Sequence, residues 1–157
     1  MARLYGRARR GLRCLASVPH GHWKTTTFTG ALRATGMTAP MVLDGPMNSD
    51  AFGAYVEQVL APTLQPGDIV VMDNLAPHKR AEVRAMIMAR GAELRYLPPY
   101  SPDLNPIENA FAKLKAALRK AEARTLDQLE AAIRVALPSF KPDECANYFA
   151  AAGYVAT

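Results

Sequence analysis

The sequence predicts a single α/β domain, and three observations point there. Half of its 157 residues are hydrophobic and 21% are charged, a balance that suits one domain with a real core. A strand–helix–strand pattern occupies residues 69–97, and that spacing implies a parallel strand pair. Strand-like segments precede this unit and amphipathic helices follow it, with no internal repeat, low-complexity tract or linker, so residues 1–157 read as one unit.

Residues 1–24 carry arginines and turn glycines around a short apolar piece at 12–18, and His20-Gly21-His22-Trp23 reads as a loop. Residues 24–32 are rich in Thr and Phe and suit a strand. Gly36-Met37 marks a turn, and residues 39–43 form a second strand closed by Asp44-Gly45-Pro46, which together make a hairpin or meander. Asn48 or Ser49 caps a helix over 50–60, where Phe52, Tyr55, Val56 and Val59 recur at helical spacing before Pro62, Pro66 and Gly67 end it. The apolar run 69–72 has the signature of a strand covered on both faces. Residues 79–90 read as a helix with Val83, Met86 and Ile87 inward and Gly91 as its stop, and 94–97 as the next strand. A helix over 106–124 carries Ile107, Phe111, Leu114, Leu118 and Ala121 on one stripe. Thr125 caps another helix over 126–137, and Pro138, Pro142 and Asp143 introduce a last short helix toward Tyr154.

The net charge is +5, with five arginines among the first 13 residues. Such a start attracts a polyanion such as nucleic acid, and it serves equally well as a solvated arm. No apolar run approaches the length of a membrane span, and the N-terminus lacks the apolar core and cleavage site of a secretory signal. Cys14 and Cys145 stand far apart without metal-ligand spacing, which suits reduced, buried thiols. A soluble cytoplasmic domain with no membrane contact is expected. His20 and His22, two apart with no Cys nearby, make a weak zinc pair.

The chemistry concentrates in two acids. Asp73 follows four apolar residues and so sits where a strand leaves its sheet, the edge at which open α/β sheets bind ligands; Asp-Asn is also a turn former. Between Asp73 and Glu108, which stands in Asn105-Pro106-Ile107-Glu108, lie 34 residues. That segment satisfies a capping arrangement, with Asn105 at the N-cap and Glu108 at N3 reaching back to the helix start. Glu108 also flanks the stripe of Ile107 and Phe111, so its side chain leans toward the sheet, and a carboxylate has about four acceptor sites to share. Pro98, Pro99, Pro102 and Pro106 stiffen the loop before it, so the loop loses little entropy when it holds an acid in place. Asn74 can bond backbone or phosphate, and His78 can cap the following helix or touch a bound phosphate. Carboxylates that converge favour a hard cation between them.

The run Val70-Val71-Met72-Asp73-Asn74 with His78, followed by Leu97-Pro-Pro-Tyr-Ser-Pro-Asp-Leu-Asn-Pro-Ile-Glu108-Asn109, resembles the catalytic core of DDE transposases of the mariner-like superfamily. Within it the bacterial insertion-sequence branch is the nearest match. The resemblance spans most of the chain, including Pro40-Met-Val-Leu-Asp-Gly-Pro-Met-Asn48 and Cys145-Ala-Asn-Tyr-Phe149. It implies an RNase H-like (retroviral-integrase-like) fold, a mixed β-sheet flanked by helices. It also implies a carboxylate triad holding two Mg²⁺ or Mn²⁺ ions, which activate water or a 3′-hydroxyl and stabilise the leaving oxygen at a phosphodiester. Asp73 matches the second acid and Glu108 the third, both as direct metal ligands and catalytic residues. The implied activity is DNA cleavage and strand transfer during transposition of an insertion sequence, in a bacterial cytoplasm at the nucleoid. The implied partners are transposon-end and target DNA and a second copy of the chain. DNA contacts would come from Asn74, His78, the arginine-rich start and an outer helix face of Lys113, Lys115, Arg119 and Lys120, which is equally an ordinary solvated face.

One departure qualifies the match. The family's first acid lies on a strand ahead of the segment that residues 1–11 resemble, and Asp44 and Asp50 fall in a turn and at a helix start instead. The family's helix-turn-helix region has no counterpart either. The chain is therefore expected to be the C-terminal portion of the catalytic domain, with the first strand missing, from a truncated or frameshift-joined reading frame. An upstream transposase segment would supply the first acid. Alone, the chain is expected to bind divalent metal weakly, to leave DNA uncut and to expose sheet edges. Two other readings stand beside this one. One is a non-catalytic module that binds DNA or a full-length transposase; the other is an RNase H-like nuclease for RNA–DNA hybrids or junctions, a class that shares the fold but not the Ser-Pro-Asp-Leu-Asn-Pro motif.

Overall fold

The computed structural model describes residues 6–15 and 25–154. The expected loop at His20–Trp23 lies outside them. β1 (Thr26–Arg33) and β2 (Gly36–Asp44) form an antiparallel hairpin joined by Ala34 and Thr35. The turn thus comes two residues before the expected Gly36-Met37, and Gly36 (φ 143°) opens β2. Thr29 pairs with Met41 but Ala31 with Thr38, so Ala39 and Pro40 bulge opposite Gly30. A bulge is where a strand tolerates a residue without an N–H. Ala39 takes φ 49°, and its carbonyl accepts a 3.0 Å bond from the buried Tyr55 hydroxyl.

Asn48 caps α1 (Ser49–Tyr55), its side-chain oxygen accepting from the Ala51 amide at 2.8 Å. The helix continues as a π-turn (Val56–Leu60) and a 3₁₀ turn (Ala61–Thr63). β3 (Ile69–Met72) then pairs in parallel with β4 (Glu93–Tyr96) through the crossover helix α2 (Ala81–Met88), as the spacing requires. The expected helix from residue 79 is interrupted at Arg80, whose ψ of 138° separates a 3₁₀ turn (Ala76–Lys79) from α2. Tyr55, Val56, Leu60, Val83, Ile87 and Leu94 form the core of this half.

The C-terminal half is helical: α3 (Ile107–Ala121), α4 (Leu126–Ala136) and α5 (Pro142–Ala151). Thr125 caps α4 through the Gln128 amide at 3.2 Å. Leu114 and Leu118 of α3 pack with Ile133, Phe140 and Cys145 in a second core. Phe28 of β1 meets Phe111 edge-on at 6.0 Å and joins the hairpin to α3. Burial pushes the Cys145 thiol up from its usual range, whereas Cys14 is exposed, contrary to the expectation of two buried thiols. Among the described residues no helix is long and apolar enough to cross a membrane.

The strands form two separate two-stranded sheets, β1–β2 and β3–β4, in place of the continuous mixed sheet of the family's fold, whose first strand was expected to be missing. Arg33, the last residue of β1, bonds Asp68, the residue before β3, so one strand ends where the other begins. A groove of about 470 Å³ runs between them, lined by the consecutive residues 28–33 and 69–73. A cavity over a sheet face meets every second residue, whereas consecutive lining means that strand edges form its walls. This opening also explains why Ile69 is 52% exposed on a strand whose apolar run suggested cover on both faces.

Candidate functional site

Asp73 leaves the end of β3 at the groove with its side chain 44% exposed. Its Oδ1 accepts from the Leu75 amide at 3.1 Å, so the turn-forming reading of Asp-Asn is realised too. The same oxygen lies 2.5 Å from His78 Nδ1. That contact lacks hydrogen-bond alignment, so Nδ1 touches the carboxylate while being left otherwise unsatisfied in a buried position. Phe52 lies against the imidazole (centroids 4.3 Å apart), and the His78 carbonyl accepts from the Tyr96 hydroxyl at 2.8 Å. His78 therefore lies in contact with Asp73. It does not cap α2, whose N-terminus has no side-chain cap.

Glu108 sits in the first turn of α3, where the helix dipole favours an anion. The expected capping arrangement does not form: the helix begins one residue later than expected, with Pro106 at the N-cap and no side-chain bond there. The Glu108 amide bonds the Asn105 carbonyl at 3.1 Å, and among the described residues its carboxylate forms no hydrogen bond or ion pair. Glu108 lines the same groove as Asp73, His78 and Asn105.

Asn74, a candidate for substrate contact, donates its amide nitrogen to the Leu97 carbonyl at 2.5 Å, tying the end of β3 to the residue after β4. Lys113 does not stand free on an outer helix face. Its Nζ donates to the Ser139 carbonyl at 2.9 Å, pairs with Glu144 and lies 4.6 Å from the Phe140 ring centroid, so it ties α3 to α5. Lys113 and then Tyr148 hold the Glu144 carboxyl below its usual range. Lys115, Arg119 and Lys120 are exposed. The sequence reading missed Phe149 and Tyr154, which also line the groove; an aromatic residue near a chain end gives no local signal of reaching a site 50 residues away.

Asp73 and Glu108 offer hard oxygen donors of the kind that Mg²⁺ or Mn²⁺ selects. The donor type fits, but the donor number is short of a triad: among the described residues no group of three His, Cys, Asp or Glu side chains converges. His20 and His22 lie outside the described residues.

The family model of the DDE superfamily endonuclease matches residues 1–130. The chain belongs to the DDE superfamily endonucleases. No curated protein matches this DDE endonuclease in sequence. Its fold is that of solved Mos1 structures. The pre-cleavage Mos1 transpososome superposes with a TM-score of 0.73 at 16% identity, over 97% of this chain and 47% of that one. The Mos1 mariner paired-end complex with Mn gives 0.69 at 17% identity, over 94% and 46%. The catalytic domain of Mos1 mariner transposase gives 0.62 at 16% identity, over 82% and 74%. The DDE endonuclease described here thus has the RNase H-like fold and spans under half the length of the chains in the two assemblies.

Proposed function

We propose that this DDE endonuclease chain is the C-terminal portion of the catalytic domain of a mariner-like DNA transposase of the bacterial insertion-sequence branch, one that cuts DNA phosphodiesters and transfers the freed strand. The observation that carries the proposal is the single groove shared by Asp73, leaving β3, and Glu108, opening α3 with its carboxylate uncommitted. These two would hold Mg²⁺ or Mn²⁺, which when bound activates a water or 3′-hydroxyl and stabilises the leaving oxygen. His78 lies in contact with the Asp73 carboxylate, and the proline-rich loop limits the movement of Glu108. Lys115 and Arg119, both exposed, neutralise DNA phosphates.

A third carboxylate must come from outside the described residues. The two strand edges that wall the groove favour an extended upstream segment pairing with both β1 and β3. A strand running parallel to β3 would end beside Asp73, where an acid at its last position joins the pair. The partners are then this upstream segment, transposon-end and target DNA and a second copy of the assembled enzyme, working in a bacterial cytoplasm at the nucleoid. The shortage of a third acid favours a second reading, a non-catalytic module that binds DNA or a full-length transposase.

Two measurements separate these readings. Mn²⁺ titration followed by electron paramagnetic resonance should show affinity falling at least about tenfold in Asp73→Asn and in Glu108→Gln. Unchanged affinity in both would remove the metal site. Supercoiled DNA should stay intact with the 157-residue chain alone and be nicked once an upstream segment carrying an acid is joined to it. Persistent inactivity of the joined protein, with DNA binding retained, would favour the binding module.

A further inference from the structure

The loop that delivers Glu108 is anchored at both ends by side chains from elsewhere in the chain. At its entry the Leu97 amide bonds the Met72 carbonyl (2.8 Å), and beyond that its own hydrogen bonds are local: the Leu104 amide to the Ser101 carbonyl (3.2 Å), the Asn105 amide to the Pro102 carbonyl (3.0 Å) and the Ser101 hydroxyl to the Pro99 carbonyl (3.3 Å). Among the described residues, two outside side chains bond it. Asn74 takes the Leu97 carbonyl at the entry, and the Tyr154 hydroxyl donates to the Leu104 carbonyl at 3.1 Å near the exit.

Tyr154 is itself well fixed. Gly153 (φ 86°) turns the chain back after α5, the Tyr154 amide bonds the Phe149 carbonyl at 2.9 Å, and the two rings meet edge-on at 5.9 Å. The base of α5 is tied to α3 by Lys113 and Glu144. A closed circuit results: α3 to α5 through Lys113, α5 to the loop through Tyr154, and the loop back into α3 through buried Pro106. Glu108 lies on the short side of that circuit, four residues beyond Leu104.

We infer that Tyr154 is a positioning residue: it latches the Leu104 carbonyl and so holds Glu108 toward Asp73 across the groove. The inference rests on the reading of Asp73 and Glu108 as the metal pair, because only then does the placement of Glu108 matter for ligand binding. Phe149 and Tyr154 line the groove themselves, so the latch sits at the site rather than at a distance from it.

The test compares the full chain with Tyr154→Phe, which keeps the ring on Phe149 and removes only the hydroxyl. Amide hydrogen exchange at Leu104, Asn105 and Glu108 should speed up roughly fivefold, as the loss of one exposed hydrogen bond allows, while Leu94 and Tyr96 in β4 exchange as before. The Mn²⁺ dissociation constant should rise about three- to tenfold, below the loss typical when a direct partner of a metal ligand is removed. Unchanged exchange in the loop would overturn the latch. Faster exchange with wild-type Mn²⁺ affinity would overturn the positioning role, provided Asp73→Asn and Glu108→Gln do lose affinity. If those two variants bind Mn²⁺ like the wild type, the metal reading fails and the positioning role falls with it, while the exchange result still decides whether Tyr154 latches the loop.

Discussion

The ion pair between Arg33 and Asp68, which both line the groove, gives a quantitative expectation. Arg33 donates Nη1 to Asp68 Oδ1 at 2.9 Å and Nη2 to Oδ2, and its Nη2 also reaches the Thr63 carbonyl at 3.1 Å. The Gln65 amide adds a 2.8 Å bond to the same carboxylate. Arg33 first, and then the Gln65 amide, hold Asp68 well below the usual carboxylate range, at about 2 against 3.8. A shift of that size corresponds to at most about 2.5 kcal/mol. The side chains are 35% and 21% exposed, so solvent screening reduces the contribution to about 1–1.5 kcal/mol. Because the folded value is depressed, this stability is fully present above pH 3.8 and is lost as pH falls toward 2. Asp68→Asn keeps an acceptor for Gln65 but removes the charge. Urea unfolding followed by circular dichroism should find it about 1–1.5 kcal/mol less stable than wild type at pH 7, with the gap closing by pH 2. Other carboxylates titrate alike in both proteins and cancel in the difference. A gap that stays constant from pH 7 to pH 2, or is absent at pH 7, would refute the assignment.

Three further outcomes are expected. Tyr55→Phe leaves the Ala39 carbonyl without its donor in a buried site and should cost about 1–2 kcal/mol in thermal or chemical unfolding; no loss would mean that the bond contributes nothing. Gly91→Ala should cost about 1–2 kcal/mol, because φ is 72° and a new Cβ would stand 3.2 Å from Pro66 Cα, and a melting temperature equal to wild type would argue against that strain. Lys115→Ala with Arg119→Ala should weaken DNA binding and reduce the salt slope by about two counterions, whereas an unaltered slope would return both residues to plain solvated surface.

Much of the fold was legible because its signals are local. The β3 run, the caps at Asn48 and Thr125 and the stop at Gly91 each depend on residues within one turn of the feature they set. The two acids were legible for the same reason, as a strand end and a helix start. The contacts that join segments were not legible. Arg33 meets Asp68 across 35 positions, Lys113 meets Glu144 across 31 and Tyr154 meets Leu104 across 50, and no periodicity marks either partner of such a pair. Lys113 was misread because a lysine on an amphipathic helix looks solvated until a neighbouring helix supplies an acid. The capping arrangement at Glu108 failed for a local reason: the helix starts at Ile107, which leaves Asn105 outside the cap position.

The bulge at Ala39-Pro40 also decides which wall each side chain of the hairpin serves. Met37 and Val42 face the helical core although five positions separate them, whereas Ala39 and Met41 face the other core. Uninterrupted alternation would send Met37 and Met41 to the same side. The extra residue resets the odd–even count, so one ribbon is shared between two hydrophobic interiors. Deleting Ala39 alone would bring Met37 and Val42 four positions apart, so plain alternation would keep both on the helical core and the strand would lose only its bulge.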